Sequence, residues 1–134
     1  MREILFRGLE THFGNEWIVG RLLADDVIVP SGQPFELDDY CLLSGELEAY
    51  EVAPKTVGQF TDTTDKNGVK IFEGDLVKYH NSVYEVRYSV IQARFLAFLP
   101  NGAFDPVAMK YGEVIGNIYD NPELFGGGDD AQEM

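Results

Sequence analysis

The stretch from Thr56 to Val77 constrains the fold more than any other part of this chain. It alternates short apolar runs with turn residues. Val57 to Thr61 reads as one strand and Val69 to Phe72 as the next. Asp65-Lys66-Asn67-Gly68 between them supplies the residue types that tolerate the positive φ values of a tight hairpin turn. Glu73-Gly74-Asp75 then bends the chain again and feeds a strand from Leu76. Asp75 after a glycine is expected to bond turn amides. None of this spacing carries chemistry by itself.

The same period-two pattern dominates elsewhere. Ile4 to Arg7 is expected as a first strand, and Thr11 to Asn15 as a turn. Trp17 to Leu23 and Val27 to Val29 flank Asp25-Asp26, which suits a hairpin. Pro30 to Pro34 is a loop, since two prolines cannot sit in a central ladder. Glu36 to Leu43 fits a short helix or a loop with one strand. Glu46 to Val52 alternates, and Pro54 ends it or opens a brief helical turn. His80-Asn81-Ser82 turns the chain into a strand from Val83 to Tyr88. A strand over Ala93 to Leu99 follows, closed by Pro100-Asn101-Gly102. Asp105-Pro106 breaks the chain, and Glu113 to Tyr119 is the last strand, followed by a turn or short helix at Asn121 to Leu124. The expected architecture is mainly β. A small closed barrel over 63–125 would remove exposed sheet edges. An N-terminal β lobe, 1–62, packs against it. The tail 126–134 is glycine-rich and acidic, and its composition predicts disorder.

A chain of 134 residues buries about two-thirds of its unfolded surface and needs no disulfide or metal to fold. Cys41 is the only cysteine, which excludes an internal disulfide and a cysteine-rich zinc site. It reads as a small buried hydrophobe. The N-terminus returns to charge at Arg7, too soon for a secretory leader, and no apolar run is long enough to span a bilayer. The cytosol is the expected compartment. The net charge of −13 opposes non-specific attraction to nucleic acid or an anionic membrane. The half up to Asp62 carries −8 and the remainder −5. Such a surface is either a solvated face or one that meets a cationic partner.

No motif specifies catalysis. Asp62, Asp65 and Asn67-Gly68 lie near a calcium loop in composition, but the register puts Thr63 at the first ligand and Gly74 where a glutamate belongs. His12 and His80 are the only histidines, so no local histidine cluster exists. There is no Gly-x-Ser-x-Gly elbow and no phosphate loop. Glu73 with Asp75, Asp25-Asp26 and Asp38-Asp39 are carboxylate pairs without the contrasting environments that acid–base work needs. No catalytic, metal or cofactor residue is assigned. One set of residues stands out as a binding face: Tyr79, Tyr84, Tyr88 and Phe98 with Arg87 and Arg94. Aromatics among cations on a β surface suit single-stranded nucleic acid. The competing reading is that the inward half of these aromatics is core.

Three segments in order carry a resemblance. They are Arg2 to Gly8 with Glu16 to Gly20, Val57 to Thr61 with Asp65 to Gly68 and Ile71 to Val77, and Glu113 to Leu124. On these the chain resembles the YopX family, small proteins encoded by bacteriophages and prophages. Thr61-Asp62-Thr63-Thr64, where a bulkier residue is usual, and the acidic tail depart from its pattern. The resemblance implies a β-rich fold with an SH3-like barrel in the C-terminal part, and no established activity or catalytic residue. The functional expectation is a non-enzymatic interaction protein of a phage or prophage in the bacterial cytoplasm, self-associating or binding a host or phage protein, with no membrane role. The alternatives are a single-stranded nucleic-acid binder and an acidic inhibitor of a host DNA-binding protein.

Overall fold

The computed structural model describes residues 4–11, 15–30 and 49–125. The expectations for Phe35 to Gly45, for Cys41 and His12, and for the tail fall outside these. The chain divides into two compact units, Met1–Gln59 and Phe60–Met134. Both are antiparallel β.

In the first unit, β1 (Phe6–Glu10) pairs with β2 (Glu16–Ala24), and β2 with β3 (Val27–Pro30). The short β4 (Tyr50–Glu51) adds to the far side of β3. Asp25 and Asp26 make the β2–β3 turn, as their turn chemistry predicts. A register shift between Leu22 and Ala24 marks a bulge at Leu23. Gly20 is required by packing: a Cβ there would lie 1.8 Å from the Val29 carbonyl oxygen. Pro54–Thr56 forms a 3-10 turn, for which Pro at the first position is suited. Thr56 locks it in place. Its hydroxyl accepts from Leu9 N–H at 2.9 Å and donates to the Ala53 carbonyl at 2.6 Å. The first strand starts two residues later than the alternation suggested.

Strand β5 (Gly58–Thr64) crosses the division between the units. Gly58 and Gln59 pair with β1, whereas Phe60 and Thr64 pair with β6 (Lys70–Phe72). The second unit continues with β7 (Asp75–Tyr79), β8 (Ser82–Ser89), β9 (Arg94–Phe98) and β10 (Phe104–Asp105). One helical turn, α1 (Ala108–Tyr111), precedes β11 (Glu113–Asn117). The sheet order is β10-β9-β8-β7-β11. Among the described residues no ladder joins β11 back to β10, so the sheet has two edges. Its core is Ile71, Val77, Tyr84, Val86, Ala97, Ala108 and Met109, with Phe95, Leu99 and Val114 packed against it. Burying each such aliphatic side chain stabilises the unit by about 1.5–3 kcal/mol.

The turns are held by side chains that bond backbone. Asp65 Oδ1 accepts from the Asn67 and Val69 amides at 2.8 and 2.9 Å. Its Oδ2 accepts from Val114 N–H at 2.9 Å, a residue on β11. Gly68 takes φ +83° while Asn67 stays at negative φ, and Gly68 N–H donates to the Asp65 carbonyl. The hairpin is therefore a turn with aspartate first and glycine fourth, closed by a bulge, not a two-residue Asn-Gly turn. Asp75 Oδ2 accepts from Phe72 N–H at 2.8 Å, as expected. Asn117 Oδ1 accepts from the Tyr119 and Asp120 amides. His80 and Asn81, at φ +52° and +67°, form the tight β7–β8 turn.

Burial raises the Asp65 carboxyl pKa, but the hydrogen bonds from the Val114, Val69 and Asn67 amides, with Lys66 nearby, hold it below its ordinary value of 3.8. A depressed carboxyl stabilises the fold above its unfolded pKa and loses that contribution as pH falls through its folded one. Asp65→Asn is expected to lose about 2–3 kcal/mol at neutral pH, because charged acceptors are replaced by a weaker carbonyl and a misplaced amide. Denaturant titrations should show the gap between the two proteins narrowing only below about pH 4.

Candidate interaction surface

The predicted binding residues all lie on β7, β8 and β9, or at the ends of these strands, but not on one face. Side chains alternate along a strand, so β8 sends Tyr84, Val86 and Tyr88 to one side and Glu85, Arg87 and Ser89 to the other. Tyr84 is 7 % exposed and belongs to the core, which removes it from any surface. Burial, with Asp105 and Tyr79 nearby, pushes its hydroxyl pKa above the usual 10.0. Tyr79 is half-buried, packed on the same core, its ring 4.1 Å from that of His80. Tyr88 points the same way but sits next to the β8–β9 turn, 47 % exposed, edge-on to Phe95.

Arg87 and Phe98 meet on the opposite side. The guanidinium lies 4.5 Å from the Phe98 ring centroid, and Phe98 pairs across the ladder with Glu85 and Phe104. The Phe98 and Phe104 rings are 5.8 Å apart. Leu96, opposite Arg87, is buried. Arg87 Nε is 3.6 Å from Glu85 Oε1. Burial raises the Glu85 pKa above its ordinary value of 4.5, with Arg87 opposing. Arg94 is exposed where β9 begins, opposite Ser89.

The most exposed apolar residues are ones the sequence pattern did not single out. Val90 and Ile91, at the tip of the β8–β9 hairpin, are 85 % and 92 % exposed. At the tip, Gln92 N–H donates to Ser89 Oγ at 3.0 Å, a solvent-exposed bond. Ala93 closes the turn at φ +58°, a left-handed conformation that costs a β-carbon residue about 1 kcal/mol. The signal available in sequence was two β-branched apolar residues in a hairpin loop, where polar residues are the rule. From Val86 to Leu96 the hairpin contains Arg87 and Arg94 and no acid, although the chain as a whole has 23 acidic residues.

A shallow hollow of about 590 Å³ lies among Asp62, Thr63, Thr64, Asp65, Lys66, Lys110 and Tyr111. Its two carboxylates and two ammonium groups balance, and Asp65 is engaged by backbone amides. Among the described residues no cluster of His, Cys, Asp or Glu is arranged to hold a metal ion. Among them also, no helix is long and apolar enough to cross a membrane.

These features define a two-unit antiparallel β protein whose turns are tied by buried Asp and Asn side chains and whose β8–β9 hairpin presents an apolar, basic tip. The chain belongs to the YopX protein family, whose match spans residues 14–126. It is similar to a solved structure, protein EF1440 from Enterococcus faecalis, at 26 % identity and a TM-score of 0.55. That likeness covers 92 % of this chain and 99 % of the other. No curated protein matches the chain.

Two outcomes follow from the placement of these side chains. Val90→Asp with Ile91→Asp should leave the thermal midpoint within about 2 °C of the parent, because neither side chain is buried, whereas Ile71→Ala should cost about 3 kcal/mol. In an NMR titration, Glu85 should titrate above the ordinary glutamate range, and Arg87→Ala should move it higher still, since that change removes the charge that opposes the burial effect.

Proposed function

We propose that this chain is a non-enzymatic protein-interaction module of a phage or prophage, acting in the cytoplasm of the bacterial host through its β8–β9 hairpin. The observation that carries the reading is the acid-free tip, its turn hydrogen-bonded at Ser89, with Val90 and Ile91 in water. Each of these side chains forgoes about 1.5–3 kcal/mol of burial in the isolated chain. Exposed apolar groups in a fixed conformation, rimmed by arginine, have the make-up of an interface anchor. The flanking Arg87–Phe98 stack extends the surface along the hairpin. The reading includes an SH3-like barrel for the C-terminal unit, supported by its short antiparallel strands and tight turns. Nothing in the balanced hollow beside Lys110 invites an enzymatic reading.

Single-stranded nucleic acid is the second reading, favoured by one observation: the hairpin carries Arg87, stacked on the half-buried Phe98, and Arg94 together with the exposed Tyr88. Against it, Val90 and Ile91 offer no stacking face, and the charge of −13 repels a polyanion. A photo-crosslinking amino acid at position 91, in cells making the full chain, separates the two. The expected result is discrete adducts that resist nuclease and disappear with protease. Adducts removed only by nuclease would transfer the function to nucleic-acid binding. Absence of any light-dependent adduct would overturn the interaction-module reading.

A further inference from the structure

The β8–β9 tip has a chemical counterpart within the same sequence. The β2–β3 hairpin also ends in an exposed apolar residue, Leu23, 39 % exposed at its bulge. From Leu22 to Pro30 it contains Asp25 and Asp26 and no base. Among the described residues neither of these carboxylates forms an ion pair, and Arg94 forms none either. One hairpin tip is thus apolar and cationic, the other apolar and anionic; Arg87 has Glu85 beside it at 3.6 Å, whereas Arg94, Asp25 and Asp26 have no opposite charge paired to them among the described residues.

We propose that the β8–β9 hairpin of one copy docks on the β2–β3 hairpin of a second copy. This rests on the reading of the tip as an interaction surface and names its partner. The contact sets Val90 and Ile91 against Leu23 and brings Arg87 and Arg94 to Asp25 and Asp26. Two β8–β9 tips do not suit each other, because their arginines repel. Two β2–β3 turns fail for the same reason with opposite sign. The matching surfaces are different patches of the chain, so the contact is head-to-tail and builds rings or open chains, not a two-fold dimer. An anionic membrane offers the cationic tip similar chemistry, but the bulk of the chain is repelled from it, whereas a second copy brings both an apolar anchor and paired acids. Exposed ion pairs contribute little each, so the apolar anchors supply affinity and the charges supply direction.

Sedimentation of the full chain over a range of concentrations tests this. The wild type should exceed its monomer mass of 15.0 kDa at low salt, and its association should weaken only partly at about 1 M salt, where screening extends only about 3 Å but the apolar anchors remain. Arg87→Glu with Arg94→Glu should weaken association at least tenfold, as should Asp25→Lys with Asp26→Lys. The Asp25→Lys, Asp26→Lys chain should keep its parent's thermal midpoint, whereas the Arg87→Glu, Arg94→Glu chain loses the Phe98 stack and the Glu85 pair and should melt lower while remaining folded at the temperature of the assay. Mixing the two should restore association, because each then meets an opposite surface. A wild type that stays monomeric at low salt overturns the proposal. So does association that survives either pair of changes, or a mixture that stays monomeric. Protein adducts from position 91 in a chain that sediments as a monomer would overturn the second copy as partner and leave the interaction module standing. Anionic phosphatidylserine vesicles that bind the wild type while it remains monomeric would assign the tip to a membrane and reject both.

Discussion

The second unit is organised around one carboxylate. Asp65 sits in a turn, yet its two oxygens accept from three backbone amides on two different segments. Asn67 and Val69 belong to its own hairpin. Val114 lies 49 residues away in sequence and is the second residue of β11. The Lys66 amide donates to the Gly112 carbonyl and adds a backbone bond to the same join. An ionised acceptor makes stronger hydrogen bonds than a neutral one, and without it all three amides lose their partner at once. The β5–β6 turn and the entrance to β11 therefore stand or fall together.

The same device recurs at the other recognisable turns. Asp75 caps the bend before β7, while the glycine beside it donates to Val86 and accepts from Ile118. Asn117 closes the loop after β11 with its carboxamide, and Asn121 returns a bond to the Asn117 amide. Asp, Asn and Gly at these places are explained by backbone hydrogen bonding and positive φ. The segments that mark the family are accounted for by architecture, and the functional reading rests on a hairpin outside them. Loops on a rigid scaffold are the usual carriers of binding.

Turns were the legible part of the sequence, because an Asp or Asn side chain that bonds amides two to four residues away acts through local geometry. Hence Glu73-Gly74-Asp75 and Asp25-Asp26 were readable, while the reach of Asp65 to Val114 was not. The helix α1 was missed because one turn is too short to show a 3.6-residue period. Strand β10 was missed because Asp105-Pro106 reads as a break, and Pro does end the strand there. Of the aromatic set, Tyr84 falls in the core, as the reading of its inward half as core expected. Tyr84 shares its parity with the buried Val86, so alternation already argued against its exposure, whereas residue type alone argued for it. Val90 and Ile91 escaped notice because β-branched apolar residues resemble a continuing strand. Only the turn closed by Ala93 puts them in water.

Amide hydrogen exchange at neutral pH tests the central role of Asp65 most directly. The amides of Asn67, Val69 and Val114 should be protected to the same degree as those in the interior of β7, although two of them lie in an exposed turn. Exchange at the rate of an open loop at all three, with β7 still protected, would contradict the account and leave the join between the β5–β6 turn and β11 to packing alone.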